Sequence, residues 1–310
     1  MRDPEAATIE VPRPADFDEF WAESVAACTA LPLRPSFEYA PGLSTDTVAV
    51  YDVRYTSYQG VRVAAWYTTP RDGPAPYPGL VTIPGYISEP DVPRRWSELG
   101  YAALAVAPRG KLRSNAVFDP GYPGLLTHNI VDHHTYGYRG FYLDVVRAVD
   151  VLAGRSEVDT SRIGLQGSSQ GGGLGITTAA LRPEAIACVS AGAPYLCGIM
   201  AATRLTRSYP YEEITEYLRV HPDHAPLVAE TVSYYDGINF APKVRAPVMI
   251  YLGLEDDVCP PETGFAVHRA LPGEHPLHTY PRCAHHAGLP RVMTVVEEFL
   301  AEHLAPEVGA

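Results

Sequence analysis

Gly167-Ser168-Ser169-Gln170-Gly171-Gly172 is the stretch that most constrains what this chain can fold into. It lies between an apolar run, Arg162-Ile163-Gly164-Leu165-Gln166, and a small-residue stretch of helical character from Gly173 to Leu181. Strand, sharp turn, helix is the context in which Gly-x-Ser-x-Gly forms a nucleophile elbow. The turn is so tight that the positions two before and two after the serine must be nearly free of side chain. Such a turn presents the Ser169 hydroxyl at the start of a helix, where the dipole and free backbone N–H groups favour developing negative charge. In a chain with 26 glycines the pattern is also met by an ordinary glycine-rich turn. The reading therefore depends on what surrounds it.

The surroundings have a consistent order. Asp16 to about Cys28 reads as an amphipathic helix, with Phe17, Phe20, Trp21 and Val25 on one face. Thr47–Tyr55 and Val61–Tyr67 read as strands joined by Ser57-Tyr58-Gln59-Gly60 in a hairpin. Gly79–Ile83 and Tyr101–Ala107 are apolar throughout and flank a helical stretch near Trp96–Gly100. Strands apolar on both faces, alternating with helices, are those of a parallel sheet between helix layers. A long helix is predicted over Tyr138–Ala153, and strands at Ile163, Ile186–Ser190, Val248–Leu252 and Leu277–Tyr280. A helical excursion falls over about Gly198–Glu230, and helix Val292–Leu304 closes the order. A hairpin first, then β–α units with an elbow in the middle, is the α/β-hydrolase arrangement. The predicted fold is a mostly parallel sheet with helices on both faces. Residues 1–40 are read as a helical arm and 41–310 as one domain.

A serine is a weak nucleophile without a base and a group to orient that base. In this arrangement the acid follows a late strand and the histidine comes last. Gly253-Leu254-Glu255-Asp256-Asp257 follows one late strand, and Arg282-Cys283-Ala284-His285-His286 follows the next. Only one of Glu255, Asp256 and Asp257 can aim correctly, and His285 and His286 pose the same choice. The oxyanion donors expected are the backbone N–H of Gln170, directly after the serine, and that of Tyr86 in the loop past Ile83. His128, His133 and His134 read as part of a solvated loop. His275, His278, His285 and His286 lack metal-ligand spacing, so no metal is expected.

Composition narrows the partners. Net charge is −12, and no Lys/Arg run is present. Nucleic acid and an anionic membrane therefore find no electrostatic footprint. No apolar stretch is long enough to span a bilayer. Met1-Arg2-Asp3-Pro4-Glu5 lacks the apolar core of a signal peptide. The five cysteines are scattered, without a Cys-x-x-Cys pair. A soluble, cytoplasmic protein is expected.

Taken together, these residues resemble the acetyl xylan esterases and cephalosporin C deacetylases, carbohydrate esterase family 7. The resemblance runs from Phe17 to the last helix. Its motifs include Phe20-Trp21, Pro84-Gly85-Tyr86, Arg109-Gly110, the Ser169 elbow and Pro194-Tyr195-Leu196-Cys197. It continues through Ser233 to Phe240, and Asp256 to Pro261. It implies Ser169 as nucleophile, Asp256 as acid and His285 as base, with Tyr86 and Gln170 as oxyanion donors and Pro194 shaping a small acetyl pocket. The implied activity is cofactor-free hydrolysis of short acyl esters, chiefly acetates of sugars or cephalosporin-like compounds. The implied assembly is a homo-oligomer, a hexamer. The family's Arg-Gly-Gln reads Arg109-Gly110-Lys111 here, and its His-Glu reads His285-His286. Lys111 and His286 thus become candidate substrate-binding residues. Two further readings use the same triad, an acyltransferase and a deacetylase of a non-sugar natural product. A catalytically silent binding protein is the third alternative.

Overall fold

Short runs of β-branched and small apolar residues build the centre of the molecule, whose computed structural model describes residues 4–305. The strands are β1 (Ser36–Tyr39), β2 (Val48–Thr56), β3 (Arg62–Pro70), β4 (Tyr77–Ile83) and β5 (Ala102–Ala107), followed by β6 (Val158–Ser168), β7 (Cys188–Gly192), β8 (Val248–Gly253) and β9 (Leu277–Tyr280). They form one sheet in the order β1-β2-β3-β5-β4-β6-β7-β8-β9. Pairing is antiparallel from β1 to β5 through β2 and β3, and parallel from β5 onward to β9. The predicted hairpin is present, with Thr56 opposite Arg62. The α/β-hydrolase fold expected from the sequence is the fold observed.

The α-helices are α1 (Phe17–Thr29), α2 (Arg94–Glu98), α3 (Tyr138–Ala153), α4 (Gln170–Leu181) and α5 (Ile199–Leu205), then α6 (Glu212–Val220), α7 (Ala225–Ser233), α8 (Gly237–Phe240), α9 (Pro261–Ala270) and α10 (Val292–Leu304). Successive residues of a strand point to opposite faces, and two neighbours in β6 show which helices lie where. A side chain on Gly164 would meet Leu304 of α10, whereas Leu165 lies against Gly175 of α4. The sheet is thus covered on both sides. That explains why β5, Ala-Ala-Leu-Ala-Val-Ala, is buried at every position.

Helix α1 lies against α3 by its aromatic face, with Trp21 stacked on Tyr142 at 5.5 Å. Its indole donates to the Tyr234 carbonyl at 2.8 Å. The predicted excursion between β7 and β8 resolves into α5, α6 and α7, and α6 returns toward the loop after β4. Strand β1 had no counterpart in the sequence reading. The carboxyl ends of β4, β6, β8 and β9 converge on one edge of the sheet, and there the candidate residues meet.

Candidate active site

Strand β6 ends at Ser168 and α4 begins at Gln170, so Ser169 carries the whole change of direction. Its backbone has φ 58° and ψ −122°, a conformation that costs a non-glycine residue roughly 1–3 kcal/mol. Hydrogen bonds on both sides hold it there. The Ser169 N–H donates to Gly192 O at 2.8 Å, and its carbonyl accepts from Tyr195 N–H at 3.0 Å. The flanking glycines are required by contact. A Cβ on Gly171 would sit 2.1 Å from Ile83 O, and one on Gly167 would sit 2.5 Å from the Gly171 carbonyl carbon.

Among the three consecutive acids, Asp256 alone turns inward. It is 6% exposed, while Glu255 and Asp257 face solvent. Asp256 Oδ1 accepts from the N–H groups of Val258 at 2.8 Å and Cys259 at 2.9 Å. Asp256 Oδ2 lies 2.8 Å from His285 Nδ1. An ionised carboxylate only accepts, so Nδ1 carries the proton and Nε2 is left free to take one. Backbone bonds from Leu254 N–H to Tyr280 O at 3.1 Å and from Glu255 N–H to Cys283 O at 2.9 Å join the acidic turn to the histidine loop. The pair is therefore held by main chain as well as by its own hydrogen bond.

Ser169, His285 and His286 line a common cleft of about 650 Å³, whose other wall is Pro84, Gly85, Ser88 and Glu89. His285 is half-buried and His286 is exposed. A second cavity of about 550 Å³, between residues 9–15 and helices α5 and α7, includes none of these groups. His133 stacks on Tyr234 at 4.1 Å, outside the cleft.

The remaining candidates are not among the residues that line this cleft. The N–H groups of Tyr86 and Gln170 donate to no other group among the described residues. The Tyr86 phenol is turned inward, donating to Glu213 Oε1 at 2.6 Å and accepting from Leu126 N–H at 3.1 Å. Burial pushes its pKa far up, and the Glu213 charge adds to that, so it stays protonated. The Gln170 side chain accepts from the Tyr138 hydroxyl at 2.9 Å and donates to Gly85 O at 3.3 Å. Pro194 is buried behind the elbow, its Cα 3.3 Å from where a Gly172 Cβ would stand. Lys111 is fully buried and does not line the cleft. Its ammonium donates to the carbonyls of Gly85, at 2.9 Å, and of Tyr86.

Two neighbours were missed by the sequence reading. Glu213 sits on α6, far along the chain from Tyr86, and no motif links the two. Cys259, 3% exposed, lies beside Ser169. Burial pushes this thiol well up, as does the Asp256 charge, against the Ser169 contact. It stays neutral and does not compete as a nucleophile. Its position directly after the acidic turn was the available signal.

The acetyl xylan esterase family model matches residues 8–303. The chain belongs to this family. It is 32% identical to an acetyl xylan esterase from Paenibacillus sp. R4, over 97% of this chain and 98% of that one, with a TM-score of 0.90. For acetyl xylan esterase 1 from Thermoanaerobacterium sp. JW/SL YS485 the identity is 26%, over 98% of both chains, with a TM-score of 0.89. An acetyl esterase of Xylanibacter ruminicola is 28% identical over 85% of this chain, which spans 62% of that protein's length. Prolyl endopeptidases share the fold at 17% identity and a TM-score of 0.65. The family resemblance read from the sequence is thereby borne out.

Proposed function

We propose that this member of the acetyl xylan esterase family is a serine carboxylesterase that removes short acyl groups, chiefly acetyl, from O-acetylated sugars. The observation that carries the reading is the hydrogen bond from half-buried His285 to buried Asp256, set at the cleft that also holds the strained Ser169. Ser169 Oγ attacks the ester carbonyl as His285 Nε2 takes its proton. The same imidazolium then protonates the departing alcohol, leaving an acyl-serine. Water, deprotonated by His285, releases the acid and restores the serine. Asp256 fixes the tautomer and stabilises the cation. The N–H groups of Tyr86 and Gln170 receive the oxyanion.

The sugar preference is supported by the family match and by the position of Lys111. Being sealed behind the cleft wall, Lys111 adds no cation where the alcohol binds. Of the two departures from the family motifs, only His286 alters the cleft surface. Pro194 belongs to this reading as a wall of the acyl pocket, reached only through the elbow. The reading extends to cephalosporin-like acetates, to a cytoplasmic location and to a homo-oligomer, a hexamer by family resemblance. Arm 1–40 and catalytic domain 41–310 are its division of the chain, supported by the aromatic face that α1 buries against α3. No helix among the described residues is long and apolar enough to cross a membrane.

Hydrolysis of p-nitrophenyl acetate, butyrate and octanoate tests the proposal, with Ser169→Ala as control. Turnover is expected to fall with acyl length and to vanish in the control. Serine-independent turnover, or preference for octanoate, overturns it.

A further inference from the structure

Lys111 is a buried cation whose partners are two main-chain carbonyls and a ring face. It is 0% exposed. It donates to Gly85 O and Tyr86 O, and its ammonium sits 4.5 Å from the centre of the Tyr122 ring. A desolvated ammonium without a carboxylate partner is an expensive thing to keep, and the surrounding chain is built to keep it there. Arg109, two residues earlier, is locked to Asp144 of α3 through its side chain at 2.8 and 2.9 Å and its backbone N–H at 2.8 Å. Gly110 then takes φ 84°, which reverses the chain and sends the Lys111 side chain back under the loop that follows β4.

The identity of the acceptors gives the arrangement its meaning. Gly85 C=O and Tyr86 N–H belong to one peptide unit, on opposite edges of it. A cation bonded to that oxygen draws electron density from the nitrogen side, which makes the N–H a stronger donor. Gln170 Nε2 donates to the same oxygen at 3.3 Å. One carbonyl is therefore held by two donors, one of them on the residue that supplies the other expected oxyanion N–H.

We propose that Lys111 is a positioning residue: bound to the Gly85 carbonyl, its ammonium fixes and polarises the peptide that presents the Tyr86 N–H to the oxyanion. This rests on the esterase reading above. Lys111 never touches substrate; it acts through the peptide. Burial lowers its pKa to about 8, opposed only by the charge of Glu89. The other titratable groups packed around it are the phenols of Tyr122 and Tyr86, both pushed up by burial, and Glu213 beyond Tyr86. The cation is thus present at neutral pH and is lost as pH rises through about 8, when polarisation of the peptide weakens.

Wild type, Lys111→Met and Lys111→Gln are compared on p-nitrophenyl acetate across pH 6–10. Loss of an oxyanion donor costs about 10²–10³ in rate, so a donor that is weakened and loosened predicts about a tenfold lower kcat in Lys111→Met, with KM little changed. Lys111→Gln keeps a neutral donor without the charge, so its kcat lies above that of Lys111→Met and matches the level to which wild type falls at alkaline pH. Wild-type kcat declines as pH passes about 8, whereas the Lys111→Gln profile stays flat there. An unchanged kcat in folded Lys111→Met overturns the proposal, as does an alkaline decline shared by Lys111→Gln. If Lys111→Met does not fold, the Lys111→Gln profile decides alone. Turnover that survives Ser169→Ala instead defeats the esterase reading, and this proposal falls with it.

Discussion

Asp256 stands between two acids of similar chemistry, and burial separates the three. Its carboxylate has two N–H donors on one oxygen and His285 on the other, while its neighbours meet water. Asp256→Asn removes the carboxylate that selects the useful imidazole tautomer, so kcat is expected to fall by about 10⁴ with KM little changed. Glu255→Gln and Asp257→Asn should leave kcat at the wild-type value. The histidines divide in the same way. His285→Ala should abolish turnover, whereas His286→Ala, on the exposed wall, should move KM and spare kcat. Steady-state kinetics of the five variants checks both assignments. Loss of turnover in His286→Ala alone would exchange the two histidines.

Elements were legible wherever burial imposed a pattern on the residues. Helices α3 and α10 fall at their predicted boundaries, where helical periodicity leaves clear marks, and so does β9, a partly exposed edge strand. Strand β1, Ser36-Phe37-Glu38-Tyr39, escaped notice because it is a four-residue edge strand, mostly exposed, too short for the alternation of Phe37 and Tyr39 to stand out. The triad candidates were legible as motifs at strand ends. The choice among adjacent acids was not, because it depends on how the acidic turn is bonded to the histidine loop. Lys111 was visible as a departure, yet its direction is set by the reversal at Gly110, which no residue pattern announces. The elbow carries the element-scale prediction. A methyl group at Gly171 would press on Ile83 O, backbone that yields only if α4 moves off the end of β4. Gly171→Ala is expected to cost about 3 kcal/mol or more and most of the activity. Urea denaturation and p-nitrophenyl acetate turnover measure the two effects, and a wild-type midpoint would refute the contact.

At the scale of the whole molecule, the excursion between β7 and β8 must be fastened to the sheet without hydrophobic layers of its own on every side. Asp236 does this from complete burial. Its carboxylate accepts from Gly198 at 2.8 Å, Ile199 at 2.7 Å and Ile238 at 3.0 Å, tying the starts of α5 and α8 together. Desolvation outweighs these three bonds and raises its pKa to about 6 from 3.8. The sign of the consequence follows from linkage. A carboxyl that holds its proton more tightly when folded stabilises the fold as pH falls through about 6 and withdraws that help as pH rises. A displacement of about two pKa units corresponds to about 3 kcal/mol between pH 7 and pH 4. Asp236→Asn removes the titration while leaving the other acid groups in place. It lowers stability at pH 4 and pH 7 alike, since an amide nitrogen then faces one of the three N–H donors. The informative quantity is the difference in slope: between pH 7 and 4, the stability of wild type relative to Asp236→Asn should rise. Denaturation midpoints of both proteins across that range test it, and parallel curves would mean that Asp236 is ionised in the fold as readily as in the unfolded chain.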